Sequence, residues 1–311
     1  MSGPIAAIDC GTNAIRLLIG EVGSDGALDE RVRLMRIVRL GEGIDRTGMI
    51  APAALDRTFA AIDEYAGVIS DAGAARIRFV ATSASRDATN RDAFIAGVQD
   101  RLGVVPEIIS GDEEAELSFE GAVRGLAPGL VTSPALVVDI GGGSTEFVLG
   151  STRPEYAASV DVGCVRMTER HLLGDPPTTD QVAAAWTDID AAVARAGERV
   201  PFDRAACLVG LAGSVTTVAA MAMDLPAYDA AVLHGAVVPY EQVVDVTSRL
   251  VRMTRGERAR LPFMHPGRVD IIAGGAMVLQ AAMRAAGAPS VIVSETDILD
   301  GIVYRISSDS G

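Results

Sequence analysis

The chain has 311 residues, 49% apolar and 22% charged, enough to bury the cores of about two domains and too apolar for a disordered polymer. Its formal net charge of −14 opposes binding to duplex nucleic acid or to an anionic membrane, both of which call for a broad basic face. All 27 basic residues are Arg, which excludes chemistry that needs a lysine, such as Walker-type phosphate loops and Schiff bases.

In chain order, a first apolar strand ends at Asp9 and a second is expected over 15–22, with Gly23-Ser24-Asp25-Gly26 as the hairpin turn between it and a third strand over 31–40. A helix is expected over 51–73, opened by Pro52 and carrying Leu55, Phe59, Ile62, Tyr65, Ala66 and Ile69 on one apolar face. A short buried strand over 77–81 leads into a loop, Thr82-Ser83-Ala84-Ser85, and then a helix from near Asn90. After a strand over 106–109, Ser110 caps a helix that runs to about Arg124. The Gly-, Pro- and Ser-rich stretch 126–133 reads as a linker. Strands follow at 136–139, 144–149 and 157–162, helices at 168–170 and 179–196, and a strand over 206–211 that opens into Ala212-Gly213-Ser214 and a helix. Helices at 240–252 and 268–286, a strand at 291–294 and a helix at 297–306 complete the pattern. The cycle of three strands, helix, strand and helix occurs in each half, which indicates an α/β duplication with each sheet covered by helices.

The repeat is visible residue by residue. Ala7-Ile8-Asp9-Cys10-Gly11-Thr12-Asn13 aligns without a gap on Val137-Val138-Asp139-Ile140-Gly141-Gly142-Gly143 at a spacing of about 130 residues, and Leu17-Leu18-Ile19-Gly20 falls on Phe147-Val148-Leu149-Gly150. Each copy is a strand ending in Asp, a glycine-containing turn and a second strand. Glycine lets a backbone approach a phosphate without a Cβ in the way, and an Asp beside it suits a hydrated Mg²⁺. In Asp139-Ile140-Gly141-Gly142-Gly143-Ser144-Thr145-Glu146, Asp139 would hold metal, the glycine amides and Ser144 would cradle phosphate, and Glu146 would ligate the metal or position water. The bland alternative is a mobile hairpin turn. In the helix after Ser110, Asp112, Glu113, Glu114, Glu116 and Glu120 include a candidate general base, although Ser110 with Glu113 also matches a simple capping box. Arg86, after the small-residue loop, could hold a phosphate in two-pronged fashion or form an ion pair with Asp87 or Asp92; Arg39 is a weaker case of the same kind. The histidines His171, His234 and His265 lack ligand spacing and read as capping or surface residues. The cysteines Cys10, Cys164 and Cys207 lack zinc or disulfide spacing and read as small buried residues of a reducing compartment. No apolar run approaches the roughly 20 residues of a membrane span, and a cytoplasmic protein is expected.

Together these residues resemble the exopolyphosphatase/guanosine pentaphosphate phosphatase family of the actin-like ATPase superfamily. The resemblance is carried by Asp9 to Asn13, Arg39-Leu40-Gly41-Glu42-Gly43, Ala81 to Arg86, Ile109 to Ala115, Asp139 to Glu146, Val162-Gly163-Cys164-Val165-Arg166 and Arg268-Val269-Asp270-Ile271-Ile272-Ala273-Gly274. It implies two actin-like (ribonuclease H-like) domains, 1–127 plus 298–311 and 128–297, with the active site in the cleft between them. It implies Mg²⁺-dependent (or Mn²⁺-dependent) hydrolysis of a terminal phosphoanhydride, with Glu114 as general base, Asp139, Glu146 and Asp9 toward the metal, and Asn13 and Arg86 as phosphate contacts. Gly11, Thr12, Gly141, Gly142, Gly143, Ser144, Thr145, Gly213 and Ser214 complete the expected phosphate set, with Arg39 and Arg166 at its margin. The implied substrate is inorganic polyphosphate, short chains in preference because of the acidic surface, with guanosine pentaphosphate as the alternative and a homodimer as the state common among relatives. A small-molecule kinase or a nucleotide-switched scaffold of the same superfamily are the competing readings. Two positions depart from the pattern: Ala14 replaces a Ser, and Ile298-Leu299-Asp300-Gly301 replaces Leu-Arg-Glu-Gly.

Overall fold

The computed structural model describes residues 3–308, which pack as two compact units. One holds the chain up to Gly121 together with the segment from Ile298, and the other is Ala122–Asp297.

In the first unit, β1 (Ile5–Cys10) is apolar on both faces and buried throughout, the mark of a central strand. It pairs antiparallel with β2 (Ala14–Val22), which pairs with β3 (Leu28–Ile37). The strand after β2 stops at Ile37, short of the expected Leu40, because Arg39 takes a φ of 50° and the chain turns inward. A short helix α1 (Ile44–Thr47) precedes α2 (Pro52–Asp71), which buries Ile62, Tyr65 and Ile69 on the face expected from their spacing. Then β4 (Arg76–Ala81) joins β1 in parallel. The next segment departs from expectation: residues of the anticipated loop form a helical turn, α3 (Ser83–Asp87). Small side chains with hydroxyls tolerate either state, and burial of Ser83, Ala84 and Ser85 favours the one that satisfies their backbone groups internally. Helix α4 (Arg91–Leu102), strand β5 (Glu107–Ile108) and helix α5 (Gly111–Gly125) follow, giving the sheet order β3-β2-β1-β4-β5.

The second unit repeats this beginning. Strands β6 (Ala135–Ile140), β7 (Thr145–Gly150) and β8 (Pro154–Val160) form an antiparallel meander. Helices α6 (Cys164–Arg170) and α7 (Thr179–Arg199) lead to β9 (Cys207–Leu211), which joins β6 in parallel as β4 joins β1. Helix α7 starts on a full capping box between Thr178 and Gln181. After α8 (Ala212–Ala222), α9 (Ala230–Leu233), β10 (Val237–Pro239), α10 (Tyr240–Arg252), α11 (Arg255–Arg258) and α12 (Ile272–Ala286), β11 (Ser290–Val293) completes the order β10-β11-β9-β6-β7-β8. Helix α12 starts at Ile272 and not near Arg268, because Pro266–Arg268 is a separate 3₁₀ turn. The strand β10 and the short helices α1, α9 and α11 were not anticipated; each has too few residues to show a period.

The final helix α13 (Ile298–Ser308) packs within the first unit, where Ile298, Leu299, Ile302 and Val303 share a core with Ile5, Ala7, Leu18 and Leu117. Gly301 lies so close to α5 that a Cβ there would sit 2.0 Å from the Leu117 carbonyl oxygen. Asp300, one of the two departures, is buried and accepts a 2.7 Å hydrogen bond from Arg33. No helix among the described residues is long and apolar enough to cross a membrane.

Candidate active site

The β6–β7 turn of the second unit is built by close backbone packing. Gly141 N–H donates to the Ser144 carbonyl at 3.0 Å, which closes the turn. The start of α6 then collects the turn's carbonyls: Cys164 N–H donates to Gly141 O, and Val165 and Arg166 N–H to Gly142 O, while Arg166 Nε donates to Gly143 O at 2.7 Å. That approach requires glycine at position 163, where a Cβ would lie 2.4 Å from Gly142 O and 2.7 Å from Gly143 N. With the carbonyls drawn to one side, the N–H groups of Gly142 and Gly143 and the Ser144 hydroxyl make no hydrogen bond among the described residues. Three donors at one turn can receive an anion.

In the ladder that leads into this turn, one pair before the pair that flanks it, stand two carboxylates. Asp139 and Glu146 are opposite each other in the β6–β7 ladder, 7% and 1% exposed. Glu146 Oε1 accepts from the Ser159 hydroxyl of β8 at 2.7 Å, which fixes its orientation. Thr145 plays a different part from the one expected. Its hydroxyl is fully buried and donates to Val162 O at 2.6 Å, so it braces the segment that follows β8, and donation to a phosphate would require that bond to break.

At the β9–α8 junction Ala212 has a φ of 66°, a strained conformation for a residue with a Cβ. Gly213 follows under the guanidinium of Arg268, whose carbon would be 2.3 Å from an added Cβ; Arg268 also donates to Thr217 Oγ1 at 3.2 Å. Ser214 is buried against Gly275 and hydrogen-bonds the Cys164 thiol. Burial pushes that thiol above its ordinary range, against the opposing pull of Ser214 and Arg268, so it stays protonated and inert.

The β1–β2 turn of the first unit has the same backbone. Gly11 N–H donates to the Ala14 carbonyl at 2.9 Å, and the turn's carbonyls are again taken by a neighbouring segment: Val38 and Arg39 N–H donate to Asn13 O, and Gly41 N–H to Thr12 O. Thus Arg39 serves here through its backbone as Arg166 does in the other copy. The Thr12 hydroxyl has no partner among the described residues, and Asn13 Oδ1 is a buried acceptor without one. Asp9 is 3% exposed and opposite Arg16, whose Nε and terminal nitrogen donate to Asp9 Oδ2 at 3.0 and 2.5 Å. The sequence reading did not single out Arg16. Aligning the two copies as far as the Glu146 position would have found it.

The acidic start of α5 is sorted by its partners. Ser110 caps Glu113 N–H at 3.1 Å, but the Glu113 side chain pairs with Arg78 at 2.8 Å. Glu116 and Glu120 face Arg305 of α13 at 3.6 and 3.8 Å. Glu114 Oε2 accepts from Arg86 at 2.7 Å, and the same nitrogen of Arg86 donates to Ile109 O at 3.0 Å. The alternative ion pair of Arg86 with Asp87 or Asp92 is therefore corrected: the helical turn of α3 presents Arg86 to the first turn of α5. The histidines hold structure: His171 meets Asp188 at 2.9 Å, His234 bridges Gly125 O and Glu295 N–H, and His265 accepts from Gly267 N–H. Cys10 and Cys164 are buried as expected, but Cys207 is only half-buried, its thiol directed to Thr132 O.

The donor set around Asp139 consists of oxygen ligands, and no group of three or more His, Cys, Asp or Glu able to hold a metal occurs among the described residues. A closed transition-metal cage is thus absent there, and two carboxylates suit Mg²⁺ or Mn²⁺, which keep several waters and add phosphate oxygens.

Against known proteins, the chain is 48% identical over 315 residues to Exopolyphosphatase 2 of Mycobacterium tuberculosis, covering 97% of this chain and 98% of that protein. It is 35% identical over 208 residues to a guanosine-5'-triphosphate,3'-diphosphate pyrophosphatase of Pseudoalteromonas atlantica, covering 65% of this chain and 40% of that one. The crystal structure of an exopolyphosphatase-like protein superposes with a TM-score of 0.94 at 41% identity, over 99% of this chain and 100% of the other. The fold is accordingly α/β, with two units whose sheets repeat a three-strand meander and a parallel strand beside its first strand. Residues 23–309 match the Ppx/GppA phosphatase family, and with the turns, carboxylates and topology described above the chain belongs to that family.

Proposed function

We propose that this chain is an exopolyphosphatase, which releases phosphate from the end of inorganic polyphosphate by hydrolysis of the terminal phosphoanhydride. The observation that carries this reading is the β6–β7 turn, where Gly142 N–H, Gly143 N–H and the Ser144 hydroxyl stand ready as donors beside the buried pair Asp139 and Glu146. Phosphoryl transfer is catalysed mainly by positioning and by neutralising charge, and this turn offers both. Asp139 and Glu146 would hold Mg²⁺ or Mn²⁺, and the ion would supply positive charge against the phosphoryl oxygens. The glycine amides bind a phosphate of the chain. Glu114 accepts a proton from the attacking water; its oxygen attacks the terminal phosphorus, the bond to the bridging oxygen breaks, and the shortened polyphosphate leaves. Arg86 commits one nitrogen to Glu114 and Ile109 O and keeps three further N–H donors on its fork for a phosphoryl oxygen. Thr12 and Asn13 provide further phosphate contacts in the first unit.

Guanosine pentaphosphate presents the same terminal group, and the second reading rests on the relative that carries a guanosine name. That match covers 65% of this chain and 40% of that protein, so polyphosphate is preferred. Glu114→Gln is expected to lower kcat by about 100-fold or more while polyphosphate binding persists. Phosphate release measured on short polyphosphate, long polyphosphate and guanosine pentaphosphate checks both points; near-normal turnover by the variant would sink the role of Glu114.

A further inference from the structure

Three strands carry one row of side chains across the meander of the second unit. Asp139 on β6 lies opposite Glu146 on β7, and Glu146 lies opposite Ser159 on β8. Residues paired in this way on antiparallel strands share one face of the sheet and reach each other. Ser159 uses that placement: its hydroxyl donates to Glu146 Oε1 at 2.7 Å. A glutamate carboxyl turns on several side-chain bonds, the last of them broad in its preference, and a hydrogen bond to its head removes that freedom. The rung is itself held in place by the chain leaving β8. The Thr145 hydroxyl donates to Val162 O at 2.6 Å and Val162 N–H donates to Val160 O at 2.8 Å. The register shift of the β7–β8 pair lies between Leu149 and Gly150, away from Ser159. The meander does not by itself ask for a hydroxyl at this position. In the first unit the same row runs Asp9, Arg16 and Met35, and a thioether has no hydrogen to donate.

We propose that Ser159 is a positioning residue for the divalent ion: its hydroxyl holds the Glu146 carboxylate in the orientation from which that acid and Asp139 take up Mg²⁺ or Mn²⁺. The inference rests on the metal reading of those two acids given above and adds to it a side chain on a third strand that acts through Glu146. Without the hydroxyl the ion has to order the carboxylate itself, and metal binding weakens; losing the hydrogen-bond partner behind a ligand typically lowers metal affinity by about 10–100-fold. A serine that merely satisfied a buried acceptor would change stability and leave metal affinity unmoved.

The test is titration of the full chain with Mn²⁺ alone, followed by electron paramagnetic resonance, with thermal melting of the metal-free protein beside it. Ser159→Ala is expected to bind Mn²⁺ about tenfold more weakly than wild type, and the Mg²⁺ concentration that half-saturates phosphate release from polyphosphate should rise by a similar factor. Ser159→Thr keeps the hydroxyl and should bind within about threefold of wild type, whereas Ser159→Val, of the same shape without it, should lose as much as Ser159→Ala. Wild-type affinity in Ser159→Ala, or a Ser159→Thr no better than Ser159→Val, overturns the proposal. If Ser159→Ala fails to melt cooperatively, the comparison of Ser159→Thr with Ser159→Val decides alone. Glu146→Gln separates this inference from the reading beneath it. Wild-type affinity in Glu146→Gln, or no Mn²⁺ binding by the wild type, removes the metal assignment and the inference together. Loss of binding in Glu146→Gln beside an unaffected Ser159→Ala overturns the role of Ser159 and leaves the metal reading standing.

Discussion

At the tip of the β1–β2 hairpin, Gly11 closes a turn whose next residues are Thr12 and Asn13; at the tip of β6–β7, Gly141 closes the same turn with Gly142 and Gly143. Both turns surrender their carbonyls to a neighbouring segment, residues 38–41 in one case and 164–166 in the other. The copies differ in what is left over. The first presents side-chain groups, with Arg16 opposite Asp9 and donating to it, while the second presents backbone donors, with Glu146 opposite Asp139. A duplicated backbone has thus been kept for its hydrogen-bond geometry, and the chemistry has been divided by changing a few side chains on it.

The comparison can be broken most sharply at the acids. Glu146→Gln is expected to lower kcat by more than about 100-fold, because it removes charge from the buried pair proposed to hold the metal; steady-state phosphate release measures it. Next come the glycines against which each turn is packed. Gly163→Ala would drive a Cβ into the Gly142–Gly143 backbone at 2.4–2.7 Å, and a fall in stability of about 1–3 kcal/mol together with weaker phosphate binding is expected. Gly41→Ala meets side chains and not backbone, the Thr12 methyl at 2.3 Å, which can rotate aside, with the Thr12 Cβ at 3.2 Å and Ala84 Cβ at 3.4 Å, so chemical denaturation should show a smaller loss there. If the two substitutions cost the same, the turns are not braced as described.

Thr145→Val sharpens the same contrast with less force. It leaves the Val162 carbonyl without its 2.6 Å partner and is expected to cost about 1–2 kcal/mol in urea unfolding, with KM for polyphosphate little changed. A large rise in KM with unchanged stability would restore Thr145 as a phosphate contact. The smallest effect concerns pH. Burial, followed by the Glu295 carboxylate that its hydroxyl touches, pushes the Tyr228 phenol up to about 12. The unfolded chain therefore releases this proton first, and the stability the group contributes is complete below about pH 10 and lost as pH rises toward the folded value. Tyr228→Phe should flatten the decline of stability over that alkaline range; an unchanged slope would show that the phenol titrates alike in both states.

Much of this protein was written locally. The apolar runs before Asp9 and Asp139 could only be buried strands, the glycines after them only turns, and Ser110 and Thr178 stop and start backbone in ways that depend on a few neighbouring residues. The spacing of the copies made the duplication legible, and the acidic first turn of α5 narrowed the general base to a handful of carboxylates. Which of those acids meets which arginine could not be read there. Arg78 takes Glu113, Arg86 takes Glu114 and Arg305 takes Glu116 and Glu120 only because β4, α3 and α13 are brought against α5 by the sheet and its core. The reason is one of range: dihedral preferences and periodicity act over a few residues and set the elements, whereas the neutralisation of a buried charge depends on a partner tens or hundreds of residues away, chosen by register and packing. Arg16 marks the boundary between the two, since its identity stands in the sequence but its effect on Asp9 exists only once β1 and β2 are paired.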